Sequence, residues 1–178
     1  MENSRRITTL SRKLRRVCTG LIYGLPVACG FFWIFFNRLY AMAPMIPLPV
    51  HVDHDLTAMV RLFAFLIDLV PLGAIIYGLQ KLRILFLLYE NGSIFTEQNV
   101  SCFRSLGRAL IVWVACHIVR TTVLSVVLTI NNPPGHRMIA VIFDSGDFTG
   151  VFVGVVVLII SWVMDEARII REDQELIV

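Results

Sequence analysis

The chain has 178 residues, of which 57% are hydrophobic and only 16% charged, so most of it is committed to lipid or to helix–helix contact and no stretch is left to bury a separate soluble core. The net charge of +3 says little by its size, and the length leaves no room for an attached catalytic module beside a membrane domain. Four apolar stretches near residues 17–37, 56–80, 107–130 and 141–164 each have the roughly twenty residues that a bilayer-crossing helix needs. The expected fold is all-α: an integral membrane four-helix bundle over residues 17–171, with a basic arm at 1–16 and an acidic tail at 172–178.

The arm carries Arg5, Arg6, Arg12, Lys13, Arg15 and Arg16. Lys81, Arg83, Arg104 and Arg108 flank the second connection, and Arg168 and Arg171 follow the fourth span, whereas the first and third connections hold only Arg38 and Arg137. The positive-inside bias therefore predicts both termini and the middle connection in the cytoplasm. A secretory signal ending near Ala41, Met42 and Ala43 is the competing account of the N-terminus. The apolar stretch is too long for that, and Thr8 and Thr9 stand where a twin-arginine signal needs apolar residues. Arginines drawn to anionic headgroups explain the arm, and direct nucleic-acid binding is not expected.

Span one carries Gly20, Gly24 and Ala28, and span four carries Gly146, Gly150 and Gly154. Each series is spaced by four, a smooth stripe that lets backbones approach. The two stripes either hold helix one against helix four within a protomer or form a homo-oligomer face. Cys18, Cys29, Cys102 and Cys116 are expected as free thiols, since none falls on an oxidising side of the predicted topology.

Pro44, Pro47 and Pro49 favour an extended first connection. His51, Asp53 and His54 follow, residue types able to ligate a divalent metal, with His136 of the opposite outer loop as a further ligand. Ordinary loop polarity is the plainer account, and Asp55 beside Thr57 supplies an N-cap for the second helix. No metal or other cofactor is expected.

In span two, Asp68 lies close to the midplane, where an ionisable group is costly unless paired or wetted. His117 and Arg120 reach the same depth on span three and share a helical face, so the three are expected as an interior polar cluster. Arg61 lies two turns outward of Asp68, and Asp144 and Asp147 open span four at comparable depth. Arg61 is expected to pair with one of these aspartates, and both layers serve either to fix helix register or as a proton or ion path. Pro71, Gly73 and Gly78 predict a kink in helix two.

Apolar character continues past Gln80 to Tyr89, so helix two is expected to project beyond the membrane or run along its interface. Glu90, Asn91 and Gly92 stop it, with Gly92 suited to a left-handed C-cap, and Thr96 can cap the next helix with Asn99 at its third position. From Glu97 to Gly107 that helix is amphipathic, presenting Arg104 and Arg108 to headgroups or a partner.

The run Asn91-Gly92-Ser93-Ile94-Phe95-Thr96-Glu97-Gln98-Asn99, followed by Phe103-Arg104-Ser105-Leu106-Gly107, resembles the signature turn of the bacterial domain-of-unknown-function 2975 membrane proteins. The end of the chain, Glu166 to Val178, is similar to that family's closing pattern of an acidic run before Leu-Thr-Val, with Ile177 replacing the threonine. The resemblance implies a four-span bundle of the bacterial inner membrane, often encoded beside a small helix-turn-helix regulator, with no established activity and no catalytic residues to carry over. It further implies that Gly92, Phe95, Thr96, Asn99 and Arg104 form the matching cytoplasmic elbow, with the acidic residues Glu172 to Glu175 near it.

A non-enzymatic regulatory or sensory protein coupling the membrane to a cytoplasmic partner is the leading expectation. A small ion-coupled carrier using Asp68, His117 and Arg120 is the alternative, and a static assembly subunit is third. The chain shows no nucleophile–base motif, phosphate loop or metal signature that would mark an enzyme.

Overall fold

Long apolar segments that must satisfy their backbone polar groups without water do so internally, as helices. The computed structural model describes residues 2–42, 49–50, 55–93, 96–130 and 138–175. They form α1 (Glu2–Ile34), α2 (Phe36–Met42), α3 (Ala58–Glu90), α4 (Glu97–Thr129) and α5 (Ser145–Glu175). Four segments are long and apolar enough to cross a membrane: Thr8–Ile34, Ala58–Glu90, Glu97–Thr129 and Ser145–Asp173. At 1.5 Å per residue α3 and α4 are each about 50 Å long, well beyond a hydrocarbon core of about 30 Å.

The spans pack in chain order: α1 lies on α3, α3 on α4 and α4 on α5. The basic residues of α1, of the α3–α4 connection and of the second half of α5 gather at one end, called here the basic end. Residues 2–16 are not a loose arm, because α1 runs through them without interruption. Arg15 fastens this extension to the last turn of α3 through Glu90, at 3.2 Å. Hydroxyls inside the spans bond back to the preceding turn, as Thr121 and Thr122 do to the Ile118 carbonyl at 2.9 and 3.0 Å.

At the opposite end, α1 and α2 meet at Phe35, and Trp33, Phe36 and Tyr40 stack in sequence with ring centres 5.1 and 5.5 Å apart. Trp33 and Phe36 are buried with Leu56, Val60, Ala64, Leu124 and Leu128, joining the first three spans. The Asn37 amide brackets Leu56, donating to its carbonyl at 3.2 Å and accepting from its amide at 3.1 Å. The N-cap of α3 is Thr57 rather than Asp55, and its side chain makes no capping bond. α3 is continuous through Pro71, which is buried inside it.

The α5 glycine stripe does not meet α1, which corrects one of the two expected arrangements. A Cβ at Gly150 would come within 2.7 Å of Val114, and one at Gly154 within 3.2 Å of the Gly107 carbonyl, so the α5 stripe lies against α4 and not against α1. Gly107 completes the contact, with Leu158 2.6 Å from its Cβ position. Chain-order packing is the reason, since it puts α3 and α4 between α1 and α5. Nothing lies within 4 Å of the corresponding positions of Gly20 and Gly24, and Gly146 meets only the Asp144 carboxylate, at 3.6 Å.

The last span starts later than its apolar pattern predicts. Residues 138–144 are not helical and run back along α4, with the Met138 amide on the Thr129 hydroxyl at 3.3 Å and the Ala140 amide on the Ser125 hydroxyl at 3.0 Å. The carboxylate of Asp147 then accepts the Asp144 amide at 3.0 Å, the backward half of a capping box, and this fixes the start of α5 at Ser145.

Candidate functional site

The polar groups of the spans converge on α4. Arg120 Nε donates to Asp68 Oδ1 at 2.6 Å, and the other carboxylate oxygen accepts from the Trp33 indole at 2.8 Å. Asp68 thus ties α1, α3 and α4 together, and the Arg120 and Asp68 side chains are only 22% and 13% exposed. Sequence reasoning missed Trp33. Its signal was an amphipathic aromatic near the end of an apolar stretch, a residue type that seeks a hydrogen-bond partner when buried.

His117 shares a helical face with Arg120 but serves a different carboxylate. Its Nδ1 lies 2.8 Å from Asp147 Oδ1, and Asp147 is buried. The expected triad is therefore two pairs side by side on α4, one reaching α3 and the other α5. Asp68, Pro71, His117 and Arg120 border a mostly apolar cavity of about 280 Å³ that also touches Cys29 and Trp113.

Arg61 does not pair with Asp144 or Asp147, which corrects the expectation of a second ionic layer. Its Nη1 donates to the Ile34 carbonyl at 2.7 Å, at the junction of α1 and α2. The side of α3 that carries Arg61 faces α1, whereas α5 begins beyond α4, and Asp147 is engaged by His117 and by its own helix start. Asp144 accepts a bond from the Ser145 hydroxyl at 3.2 Å.

At the basic end the elbow is a Schellman motif. Gly92 adopts φ +77°, its amide bonds to the Tyr89 carbonyl at 3.2 Å, and the Ser93 amide bonds to the Leu88 carbonyl at 3.0 Å. Thr96 sits at the N-cap of α4 but makes no side-chain capping bond, and its buried hydroxyl has no partner. Asn99, fully buried, instead closes the turn by donating to the Ser93 carbonyl at 2.7 Å. Arg104 reaches Asp165 of α5 at 3.3 Å, and Asp165 also accepts from Arg168, which holds Glu172 at 2.8 Å. The partner of the elbow is therefore Asp165, a residue the sequence reading did not single out, while Glu172 is engaged within α5. Phe95, His51, Asp53, His54 and His136 lie outside the described residues, as does Ile177.

Residues 51–178 match the family model described as Protein of unknown function (DUF2975). No curated protein and no solved structure matches the chain.

Proposed function

The chain belongs to the DUF2975 family, and we propose that it is a non-enzymatic regulatory or sensory component of a bacterial inner membrane, coupling the spans to a cytoplasmic protein. One observation carries this reading: α5 rests on α4 along a seam of small residues and is pinned by His117–Asp147 at one end and Arg104–Asp165 at the other. A helix held by one neighbour and two side-chain latches can shift as a unit, so that a change at Asp147 is read at Asp165, Arg168 and Glu172. The positive-inside bias supports a cytoplasmic basic end with both termini inside. A helix-turn-helix regulator docking on the elbow and the acidic tail is the partner we favour, and direct contact of this chain with nucleic acid is not part of the reading.

The test is affinity purification with crosslinking from native membranes, comparing the full chain with one truncated after Arg171 and with H117A. A cytoplasmic protein captured by the full chain, lost on truncation and altered in yield by H117A supports the reading. Capture of lipid or of further copies of the chain alone counts against it.

A second reading, a small ion-coupled carrier, draws on the cavity of about 280 Å³ beside Asp68, His117 and Arg120. It requires ion or proton flux in liposomes that D68N abolishes.

A further inference from the structure

Arg61 differs from the other arginines that reach across between spans. Arg15, Arg104 and Arg120 each meet a carboxylate of a neighbouring helix. Among the described residues Arg61 meets none: its one bond is from Nη1 to the Ile34 carbonyl, and its buried Nε has no partner. Its Nη2 makes no hydrogen bond to the described residues, so the guanidinium keeps a free donor for a ligand although Nε is closed off. A guanidinium nitrogen with free N–H groups is a strong, charge-assisted donor to a phosphate or carboxylate oxygen.

The same side chain borders a cavity of about 400 Å³ between α1 and α3. Its other described walls are Gly30, Trp33, Ile34, Ala58, Leu62 and Phe65, so Arg61 is the only charged group lining it among the described residues. Ile34 and Leu62 on its rim are 66% and 52% exposed. Neighbouring side chains on the same stretch of α3, Met59 and Phe63, are exposed and apolar as well, so the cavity opens sideways toward acyl chains. The volume is within the usual range for small-molecule sites, about 300–1,000 Å³. A guanidinium held in apolar surroundings without a counter-charge is costly, and an anion that brings its own hydrocarbon removes that cost.

We propose that this cavity binds an anionic phospholipid, with the phosphate on Nη2 of Arg61 and one acyl chain against Trp33, Leu62 and Phe65. The placement of Arg61 in the first turn of α3 supports a phospholipid, because a helix end is where a headgroup phosphate of the bilayer comes to lie. The site is independent of the signalling reading above, since it uses neither α5 nor the elbow.

The experiment is native mass spectrometry of the full chain exchanged with phosphatidylglycerol, phosphatidylcholine, oleic acid or inorganic phosphate, for the wild type, R61Q and R61K. The wild type is expected to retain phosphatidylglycerol about tenfold more than phosphatidylcholine, R61Q to lose the preference, and R61K to keep part of it, as a point charge in place of the guanidinium. A second measurement needs no Arg61 variant. In a W113F/W162F background, phosphatidylglycerol brominated on its chain is expected to quench Trp33 more strongly than brominated phosphatidylcholine at equal mole fraction. Equal retention of the two phospholipids, an unchanged preference in R61Q, or equal quenching overturns the site. Stronger retention of oleic acid or of inorganic phosphate than of phosphatidylglycerol overturns the assignment to a phospholipid.

Discussion

His117 and Arg120 stand three residues apart on α4 and bond in different directions, His117 to Asp147 of α5 at 2.8 Å and Arg120 to Asp68 of α3 at 2.6 Å. One helix face thereby holds two neighbours that do not pack on each other, and the two attachments can be broken separately.

Breaking the Asp68–Arg120 pair leaves a charge among apolar side chains. D68A and R120A are each expected to lower stability in detergent by about 3 kcal/mol, the low end for a pair that is not fully enclosed. The charge swap D68R/R120D recovers only part of this loss, because Trp33 loses its acceptor. Thermal melts of the two singles and the swap check this through the coupling energy, and strict additivity would rule the pair out as a stabilising unit.

Asp147 has two duties, so its replacements should separate them. D147A removes both the His117 contact and the acceptor for the Asp144 amide, whereas H117A removes only the former. The capping share is about 1 kcal/mol. Hydrogen exchange is expected to show fraying at the start of α5 in D147A but not in H117A, with α1 and α3 unchanged in both.

The seam between α4 and α5 has little room. G107A places a methyl group 2.6 Å from Leu158 and 2.9 Å from the Gly154 carbonyl, and overpacking of this kind costs about 1–3 kcal/mol. G24A meets nothing and is expected to be neutral or stabilising, by up to about 1 kcal/mol. Disulfide crosslinking between cysteines placed at positions 114 and 151 should weaken in G107A and persist in G24A.

The elbow depends on the left-handed residue that ends α3. G92A is expected to cost about 1–2 kcal/mol, because a Cβ is disfavoured at φ +77°. N99A removes the bond to the Ser93 carbonyl and is expected to increase proteolysis at the turn. Limited digestion of both variants against wild type measures the two effects.

The helical class and the four spans were legible because apolar runs of this length leave the backbone one solution, whereas α2 and the extension of α1 through residues 2–16 were not. Depth arithmetic put Asp68 level with Arg120 for the same reason, since position along a rigid helix follows from counting residues. The same arithmetic put Arg61 level with the aspartates of the last span, and there the structure differs: depth does not say which face of a helix a neighbour occupies. Choosing between α1 and α4 as the host of the Gly150–Gly154 stripe needs the packing order, and Gly20 and Gly24 carry an equivalent stripe with nothing against it. The late start of α5 was hidden because residues 138–143 are as apolar as the helix they precede, and only the capping bond of Asp147 marks the boundary.

Packing in chain order bears on how the protein is made. Each span after the first finds its main neighbour already synthesised, so no helix has to wait exposed for a distant segment. A nascent chain that stalls within α5 has already received the Asp68–Arg120 bond and the aromatic stack around Trp33. The first three spans thus hold both groups that bond Asp68, and α5 can dock late without leaving either oxygen of that carboxylate unpaired.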